Sequence, residues 1–369
     1  MTTKKQINIG IIGCGNISQA YFNGARTFEV LNVVACADLN MEVARAKAAE
    51  NGCVAQTVEE LLANSEVDLV INLTIPAVHA EVSLAALQAG KHVHCEKPLA
   101  VHLSDAKAVL DLAREKGLLV GCAPDTFLGA GLQTCRKLID DGWLGRVTSG
   151  SAFMLSHGPE SWHPNPVFFY QPGAGPMFDM GPYYVTALVH LLGPVKQLVA
   201  MTSRAHEERI ATCKAQFGKV LPVDVPTHYS GTLEFHSGAI VSVTISFDVH
   251  RGGHEPIELY GTEGSLKVPD PNTFGGPISL WTPSSNAWHD QAFSHRYSDN
   301  MRSIGAADLA YAILNGVTHK HRASGELAYH VLEVMHAFEK SSDDRQHVVI
   351  ESHPEQPAPL PLGLIEGRL

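Results

Sequence analysis

The chain has 369 residues, of which 45% are hydrophobic and 18% are charged. This composition is typical of a soluble globular protein of about two domains, and it excludes collagen-like and disordered chains. The net charge of −11 argues against a surface for nucleic acid or anionic membranes. No run approaches the ~18 consecutive apolar residues of a membrane span, and no signal-type segment opens the chain. We therefore expect a cytoplasmic protein without nucleic-acid or membrane partners.

Cysteine and histidine usage predicts neither a disulfide framework nor a metal site. The seven cysteines are odd in number and include no C-x-x-C pair, so we expect small buried side chains in a reducing compartment. The 20 histidines form no H-E-x-x-H motif. His157 and His163 are close in sequence, but no third ligand accompanies them, and we predict no metal.

Residues 1–125 alternate between short apolar runs and amphipathic stretches, which predicts βαβ units around a parallel sheet. Strands are expected at Ile7–Ile12, Leu31–Ala37, 53–55, 68–73, His92–Cys95 and 118–122. Helices are expected at 16–25, at 41–50, after Thr57, at 77–89 and after Ser104. Thr57 and Glu60 have the spacing of a capping box. Ser104 is predicted to N-cap the last of these helices, and Gly117 to end it.

After residue 125 the pattern changes to that of an α+β domain with a largely antiparallel sheet. A helix at 132–141 and a strand at 146–154 come first. Two hairpins follow: one joins His228–Phe235 to 239–247, and the other joins 257–260 to Ser265–Val268. Leu327, Val331, Val334 and Phe338 mark a late amphipathic helix. Residues 354–361 are rich in proline and are predicted to form a loose arm.

The second hairpin strand also predicts how the sheet is used. Val241, Val243 and Ile245 alternate with Ser242, Thr244 and Ser246, so one face should lie under helices while the half-polar face meets another subunit. The chain is thus divided into a first domain at 1–125, a substrate-binding and oligomerisation domain at 126–353 and a tail at 354–369.

A glycine turn after the first strand is typical of a dinucleotide site. Gly13 permits the tight turn, and Gly15 lets the backbone approach a pyrophosphate at the helix that begins near Asn16 and Ile17. Asp38 ends the second strand, 25 positions after Gly13, near the spacing expected of the acid that binds a ribose. Its carboxylate favours NAD over NADP because it would repel a 2′-phosphate, and Arg45 is the nearby cation that could favour NADP instead.

The carboxyl ends of the fourth and fifth strands carry further polar residues. Thr74, Pro76 and His79 follow the fourth strand, and Glu96 and Lys97 follow the fifth. Ligands of open α/β sheets bind outside these ends. We therefore add Thr74, Pro76, His79, Glu96 and Lys97 to the predicted cofactor site.

Several motifs in order resemble the glucose–fructose oxidoreductase / inositol dehydrogenase / MocA (Gfo/Idh/MocA) family over nearly the whole chain. They are the G-x-G turn, Glu96-Lys97-Pro98, the glycine-rich run that ends at Asp179-x-Gly181-x-Tyr183, the segment 261–265, and the later segments 302–308 and 322–326. The resemblance implies an α/β fold: an N-terminal Rossmann domain with a doubly wound parallel sheet, and a C-terminal α+β domain with an open, largely antiparallel sheet. It also implies NAD(P)-dependent oxidation or reduction of sugars, cyclic polyols or related secondary alcohols by a homodimer or homotetramer.

The resemblance assigns Lys97, Asp179 and Tyr183 to catalysis. In the inositol-type branch a Lys is joined by an Asp and a His in D-x-G-x-H. Lys97 and Asp179 match, whereas Tyr183 stands at the His position and Thr186 where a second Asp is common. A Tyr looks like the glucose–fructose oxidoreductase and sugar or dihydrodiol dehydrogenase branches. Lys97 and Tyr183 thus remain alternative proton-transfer groups, and a lowered Lys97 pKa is expected from burial and the nicotinamide cation.

Four further residues are weaker candidates for substrate binding. Trp162 and His163, with His157, lie in a loop before the glycine-rich run and could contact a sugar ring or hydroxyl, although packing between domains is an equal alternative. Asp125 follows the sixth strand and could bind a substrate hydroxyl or cap a helix.

Three functions compete at this point. The first is an NAD-dependent dehydrogenase of a secondary alcohol in a sugar or cyclic polyol. The second is a glycoside-cleaving enzyme of the same fold that oxidises its sugar transiently with retained NAD. The third is a non-enzymatic NAD-sensing regulator, against which the joint presence of Lys97, Asp179 and Tyr183 argues.

Overall fold

A computed structural model describes residues 5–316 and 321–369. Residues 7–122, about the first third of the chain, build a six-stranded sheet. Its strands are β1 (Ile7–Ile12), β2 (Leu31–Ala37), β3 (Val54–Gln56), β4 (Leu69–Asn72), β5 (His92–Cys95) and β6 (Val120–Cys122). Its helices are α1 (Ser18–Thr27), α2 (Met41–Asn51), α3 (Val58–Ala63), α4 (His79–Gln88) and α5 (Leu103–Lys116).

All neighbouring strands of this sheet are parallel, in the order β3-β2-β1-β4-β5-β6. The predicted doubly wound sheet is therefore confirmed. Ile9 and Ile11 of the central strand are fully buried, as expected where helices cover both faces. The strand order reverses between β1 and β4, and ligands of such sheets bind at the carboxyl ends beside this reversal.

Two of the three capping predictions for the first domain are confirmed. The Thr57 hydroxyl accepts a hydrogen bond from the Glu60 amide, and the Glu60 carboxylate accepts one from the Thr57 amide, so the predicted capping box is confirmed. Gly117 ends α5 with a left-handed φ of 65°. The prediction that Ser104 caps α5 is wrong: His102 is the N-cap residue, and the Ser104 hydroxyl donates to Asp105 instead.

The described residues after 125 build a nine-stranded sheet and four α-helices. The helices are α6 (Ala130–Asp140), α7 (Gly175–Leu192), α8 (Ile304–Asn315) and α9 (Gly325–Asp344). The strands are β7 (Val147–Leu155), β8 (Val195–Ser203), β9 (Glu208–Ile210), β10 (Val220–Pro222), β11 (His228–Phe235), β12 (Ile240–Ser246), β13 (Ile257–Gly261), β14 (Ser265–Val268), β15 (Ser279–Thr282), β16 (Ala287–Asp290) and β17 (Val348–Val349). Strands β9 and β10 form a separate two-stranded sheet.

The large sheet has the order β16-β15-β14-β13-β7-β12-β11-β8-β17. Its pairs are antiparallel apart from β7 with β12, and both predicted hairpins are present. Helices α7 and α9 pack against one face, where Val241, Val243 and Ile245 are fully buried. The opposite face carries Ser242 at the surface. No helix of the described residues is both long and apolar enough to cross a membrane.

Helix α8 returns to the first sheet, although it follows the large sheet in the chain. It packs against α1, β5 and β6, and Ser324 forms a β-bridge with Gly121 of β6. The short segment before α8 is thereby brought to the carboxyl ends of β5 and β6. This return places residues from near the end of the chain beside the predicted site.

The proline-rich tail is docked, so the prediction of a loose arm is wrong. The Leu360 side chain is buried, and its amide donates to the Gln133 side chain at 2.7 Å. Arg136 donates to the Pro357 carbonyl, and Arg368 pairs with Glu29 beside α1. Proline restricts the tail to an extended path, and side chains of α6, together with His295 and Arg322, hydrogen-bond its backbone groups.

We expect Leu360→Ala to lower the free energy of unfolding by about 2–5 kcal/mol, because truncating a buried leucine loses apolar burial and leaves a cavity. Leu360 is 4% exposed, whereas Leu362 is 58% exposed. The matched Leu362→Ala variant should therefore stay within about 0.5 kcal/mol of the parent. Urea unfolding of the three proteins measures both values, and equal stabilities of the two variants would contradict tail docking.

Candidate active site

The glycine turn after β1 has the geometry that a dinucleotide requires. Gly13 has a φ of 100°, and a Cβ there would lie 2.6 Å from the Leu73 carbonyl oxygen, so no larger residue fits. A Cβ on Gly15 would meet nothing within 4 Å, which leaves the amides at the start of α1 open to a phosphate. The buried Ser18 hydroxyl donates to the Gly15 carbonyl at 2.7 Å and ties the turn to α1. The turn thus fits a pyrophosphate.

Asp38 lies beside this turn at the end of β2. One carboxylate oxygen accepts a hydrogen bond from the Cys14 amide at 2.8 Å, and the other accepts from the Asn40 amide at 2.9 Å. Both bonds hold the carboxylate at the edge of the predicted cofactor site. Asn16 is exposed, and Ile17 is half-buried at the start of α1.

The loop after β4 is held in place by the buried His79 side chain. The buried His79 ring contacts the Pro98 carbonyl oxygen at 2.7 Å through Nδ1 and the Thr74 carbonyl oxygen at 3.0 Å through Nε2. His79 therefore links the loop of Thr74 and Pro76 to the turn that contains Lys97, and it is not exposed toward a ligand. Thr74 and Pro76 remain partly accessible at that edge.

Lys97 and Asp179 join the segment that builds the parallel sheet to a helix that packs on the large sheet. The Lys97 ammonium donates to the Asp179 carboxylate at 2.9 Å and to the Asp179 carbonyl oxygen at 2.7 Å. Lys97 follows β5, whereas Asp179 lies in the first turns of α7. The side chains are 16% and 26% exposed, respectively, so the ion pair is partly accessible to solvent and to a ligand.

Tyr183 completes the cluster one turn further along α7. Residues four apart share a helix face, and the Lys97 Nζ lies 5.3 Å from the centre of the Tyr183 ring. The ring is largely buried, and so is Thr186. The structure therefore brings together the ammonium, carboxylate and phenol that the resemblance assigned to one site.

The charges in this cluster act against the expected lowering of the Lys97 pKa. Burial lowers the pKa, but Asp179, Tyr183 and Glu96 outweigh burial and raise it above its ordinary value. The pKa of Tyr183 is also raised, chiefly by burial, while Lys97 and Arg302 partly offset the increase. Both groups are consequently protonated at neutral pH before a ligand enters.

Glu96 and Asp125 are held by hydrogen bonds of their own. Glu96 accepts from the Tyr21 hydroxyl at 2.7 Å and from the Lys97 amide at 3.0 Å. Asp125 is buried and accepts from the Gly305 amide at 3.0 Å, in the first turn of α8. Burial raises the Asp125 pKa to about 6. Of the two roles left open for Asp125, the geometry supports the helix cap.

The loop of Trp162 and His163 is built from aromatic rings that pack against one another. The His163 ring packs edge-on against Phe169 at 4.8 Å and against Trp162 at 5.4 Å. The indole is 66% exposed. His157 stacks on His250 at 3.8 Å. Within the described ranges, no hydrogen bond or ring contact joins this loop to Lys97, and no group of three or more His, Cys, Asp or Glu side chains is arranged to hold a metal.

Arg302 is the site residue without a predicted role. It lies half-buried in the segment before α8, where its positive charge acts to lower the pKa of Tyr183 and its guanidinium donates to Asn300 at 3.1 Å. The sequence signal was its place in the family-like segment 302–308, but Tyr183 lies more than 100 residues earlier in the chain, so their proximity could not be predicted.

Comparisons with known proteins agree with this geometry. Residues 7–123 match the model of the oxidoreductase family with an NAD-binding Rossmann fold, and residues 132–267 match that of the GFO/IDH/MocA C-terminal domain. The 1,5-anhydro-D-fructose reductase of Ensifer adhaerens is 30% identical over 259 residues, covering 70% of this chain and 74% of the relative. The levoglucosan dehydrogenase of Pseudarthrobacter phenanthrenivorans is 27% identical over 290 residues, covering 71% and 73%.

A solved levoglucosan dehydrogenase in complex with NADH has the same fold. It superposes with a TM-score of 0.80 at 22% identity, covering 94% of this chain and 100% of that chain. The chain therefore contains an NAD-binding Rossmann domain and belongs to the Gfo/Idh/MocA family of oxidoreductases that act on CH–OH groups.

Proposed function

We propose that the protein transfers a hydride between NAD and a secondary alcohol of a sugar, sugar derivative or cyclic polyol. The carrying observation is the ion pair of Lys97 and Asp179 beside the Tyr183 phenol, at the carboxyl edge of the sheet that holds the dinucleotide turn. The names of the relatives support the substrate class, since they include levoglucosan dehydrogenase, D-glucoside 3-dehydrogenase and inositol 2-dehydrogenase.

The cofactor-binding residues follow from the order of groups along this edge. The amides near Gly15 would hold the pyrophosphate, and Asp38 would bind the ribose hydroxyls. Thr74, Pro76 and the turn at Glu96 and Lys97 would line the nicotinamide end. Bound nicotinamide supplies a two-electron hydride acceptor or donor.

Lys97, Asp179 and Tyr183 bind the substrate and transfer its proton. Lys97 and Tyr183 donate hydrogen bonds to the reacting oxygen, and Asp179 fixes the Lys97 ammonium and accepts from a neighbouring hydroxyl. During oxidation the hydroxyl proton leaves to this pair; during reduction the pair returns a proton to the carbonyl oxygen. Trp162 and His163 are proposed as outer contacts, because an exposed indole can stack on a sugar ring.

An NADH-formation screen with purified protein tests the function. NAD or NADP is combined with a panel of inositols, aldoses, anhydrosugars and glycosides, and absorbance is followed. Net NADH formation supports the dehydrogenase. Release of an aglycone without net NADH identifies the glycoside-cleaving alternative, and NAD binding without turnover of any panel member favours a sensor.

The pH dependence of turnover follows from the two raised pKa values. Because Lys97 and Tyr183 are protonated at neutral pH, alcohol oxidation must first lose a proton from the site. We expect kcat for oxidation to rise as pH increases into the alkaline range, and kcat for carbonyl reduction to fall over the same range. Steady-state rates in both directions check this, and an oxidation rate that falls with rising pH would contradict it.

We further propose a homodimer or homotetramer that works in the cytoplasm, where the seven free cysteines stay reduced. The open face of the large sheet supports assembly, because Met201, Ile240 and Trp288 are exposed there among polar side chains. Light scattering at micromolar concentration should show a dimer or tetramer. Ser242→Arg, on this face, should favour the monomer by burying an unpaired charge, whereas Ser237→Arg in the hairpin turn should not. A monomeric parent would contradict the assembly.

A further inference from the structure

Lys97 is held both at its ammonium and at its backbone. Asp179 accepts from two of the three ammonium N–H groups, at 2.7 and 2.9 Å. Among the described residues, no hydrogen bond uses the third N–H, which is left for a ligand. The Lys97 amide donates to the Glu96 carboxylate at 3.0 Å. The direction of the third N–H therefore depends on where Glu96 holds the Lys97 backbone.

The second carboxylate oxygen of Glu96 is bound by the helix that carries the dinucleotide turn. It accepts a hydrogen bond from the Tyr21 hydroxyl at 2.7 Å, so a phenol on α1 and the amide of Lys97 share one carboxylate. The Glu96 amide donates to the Asn72 carbonyl at 2.8 Å and ties the same residue to β4. Hydrogen bonds to an ionised carboxylate are about twice as strong as those between neutral groups. Removing the phenol donor should therefore loosen the carboxylate.

Tyr21 lies one helical turn after the start of α1 and is fixed on all sides. Its side chain is fully buried, with the ring 6.4 Å from the buried His94 ring of β5. Its carbonyl oxygen accepts from the buried Ser303 hydroxyl at 2.8 Å. Burial and the Glu96 charge raise the pKa of Tyr21 well above its ordinary value, so its hydroxyl stays protonated and remains a donor.

We propose that Tyr21 is a positioning residue for Lys97: its hydroxyl fixes the Glu96 carboxylate, and that carboxylate fixes the Lys97 backbone so that the third ammonium N–H points at the reacting oxygen. Tyr21 acts through Glu96 and touches no ligand itself. The helix that would hold the pyrophosphate and the lysine that would hold the substrate oxygen are thereby joined by one hydrogen-bonded path. This proposal rests on the proposed function.

Kinetics of Tyr21→Phe provide the first test, because this change removes the hydroxyl and keeps the buried ring. We expect kcat to fall by about 10-fold, the size of one hydrogen bond to a charged group, with the substrate KM within about threefold of the parent. NAD affinity, measured by calorimetry, should be nearly unchanged. A parental kcat, with or without a raised KM, would overturn the proposal.

Tyr229→Phe is the matched control for this variant. Tyr229 is also fully buried, and its hydroxyl donates to the Glu339 carboxylate at 2.7 Å, where α9 packs on the large sheet. Urea unfolding should show similar losses of stability for the two variants, whereas Tyr229→Phe should keep the parental kcat. Equal losses of kcat in both variants would trace the effect to stability and would refute a role in placing Lys97.

A double-mutant cycle with Glu96→Gln shows whether Tyr21 acts through Glu96. Glutamine has one acceptor oxygen where the carboxylate has two, so Glu96→Gln breaks the path by itself. The double variant should lose little kcat beyond the loss in Glu96→Gln alone. Losses that multiply would contradict the path through Glu96.

Hydrogen exchange followed by mass spectrometry provides a test that needs neither cofactor nor substrate. In peptides that cover residues 96–100, the Lys97 amide should exchange about 10-fold faster in Tyr21→Phe than in the parent, because its acceptor is less firmly held. Tyr229→Phe should leave this exchange unchanged, and identical exchange in Tyr21→Phe and the parent would overturn the proposal. Faster exchange in a protein that oxidises no alcohol would refute the proposed function and leave the positioning of Lys97 by Tyr21 established.

Discussion

Lys97→Ala should lower kcat by about 10²–10⁴-fold while NAD still binds, because removing a group that holds or moves the reacting proton has effects of this size. The structure sharpens the expectation. Lys97 donates two hydrogen bonds to Asp179, so the variant loses the cation and also releases the carboxylate that orients the substrate hydroxyls. The dinucleotide turn lies on β1 and α1 and should be unaffected.

Turnover and NAD binding should be measured together to separate chemistry from cofactor affinity. Lys107→Ala is the matched control, since Lys107 lies on the surface of α5 in an exposed ion pair with Asp111 and should give parental kcat. Tryptophan fluorescence quenching or calorimetry reports NAD affinity. Unchanged turnover in Lys97→Ala would remove Lys97 from the reaction.

Asp38→Ser combined with Leu39→Arg should move the preference from NAD toward NADP by about 10–100-fold, because two charge effects of about 1 kcal/mol or more act in the same direction. The carboxylate that would face the 2′-phosphate is removed, and a cation is added next to it. Leu39 is 97% exposed, so the new side chain can reach a ligand without disturbing the core. Serine can still accept one of the two backbone hydrogen bonds that hold Asp38.

The preference is measured as kcat/KM for NADP divided by that for NAD. The single variants, Asp38→Ser and Leu39→Arg, complete a double-mutant cycle and show whether repulsion or the added cation contributes more. An NADP preference in the parent would mean that Asp38 faces away from the ribose or that Arg45, exposed on α2, reaches the phosphate instead.

The dinucleotide turn and the capping box were predictable because short-range rules determine them. Gly13 is required by a backbone turn, and Thr57 and Glu60 cap each other within one helical turn. Lys97 could be placed at the carboxyl end of a strand for the same reason. Its raised pKa could not be predicted, because that depends on a carboxylate from α7.

The contacts that sequence reasoning missed all join segments far apart in the chain. A helix-cap role was open to Asp125, but the helix it caps, α8, begins about 180 residues later, and the segment before α8 approaches the site only because α8 returns to the first sheet. The tail was predicted to be a loose arm from its proline content. Proline content constrains the backbone but carries no information about the residues on which the tail packs. Local patterns therefore located the site, whereas the residues that surround and hold the site residues could be identified only from the tertiary structure.

The docked tail restricts how the two sheets can move relative to each other. Two-domain enzymes commonly open and close around their ligands through hinge motion. Here the tail runs from α6, where Leu360 is buried, to the turn after α1, where the Glu29 amide donates to the Gly367 carbonyl and Arg368 pairs with the Glu29 carboxylate. It thus acts as a tether between the two sheets, and any hinge motion must either carry the tail along or detach one of its ends.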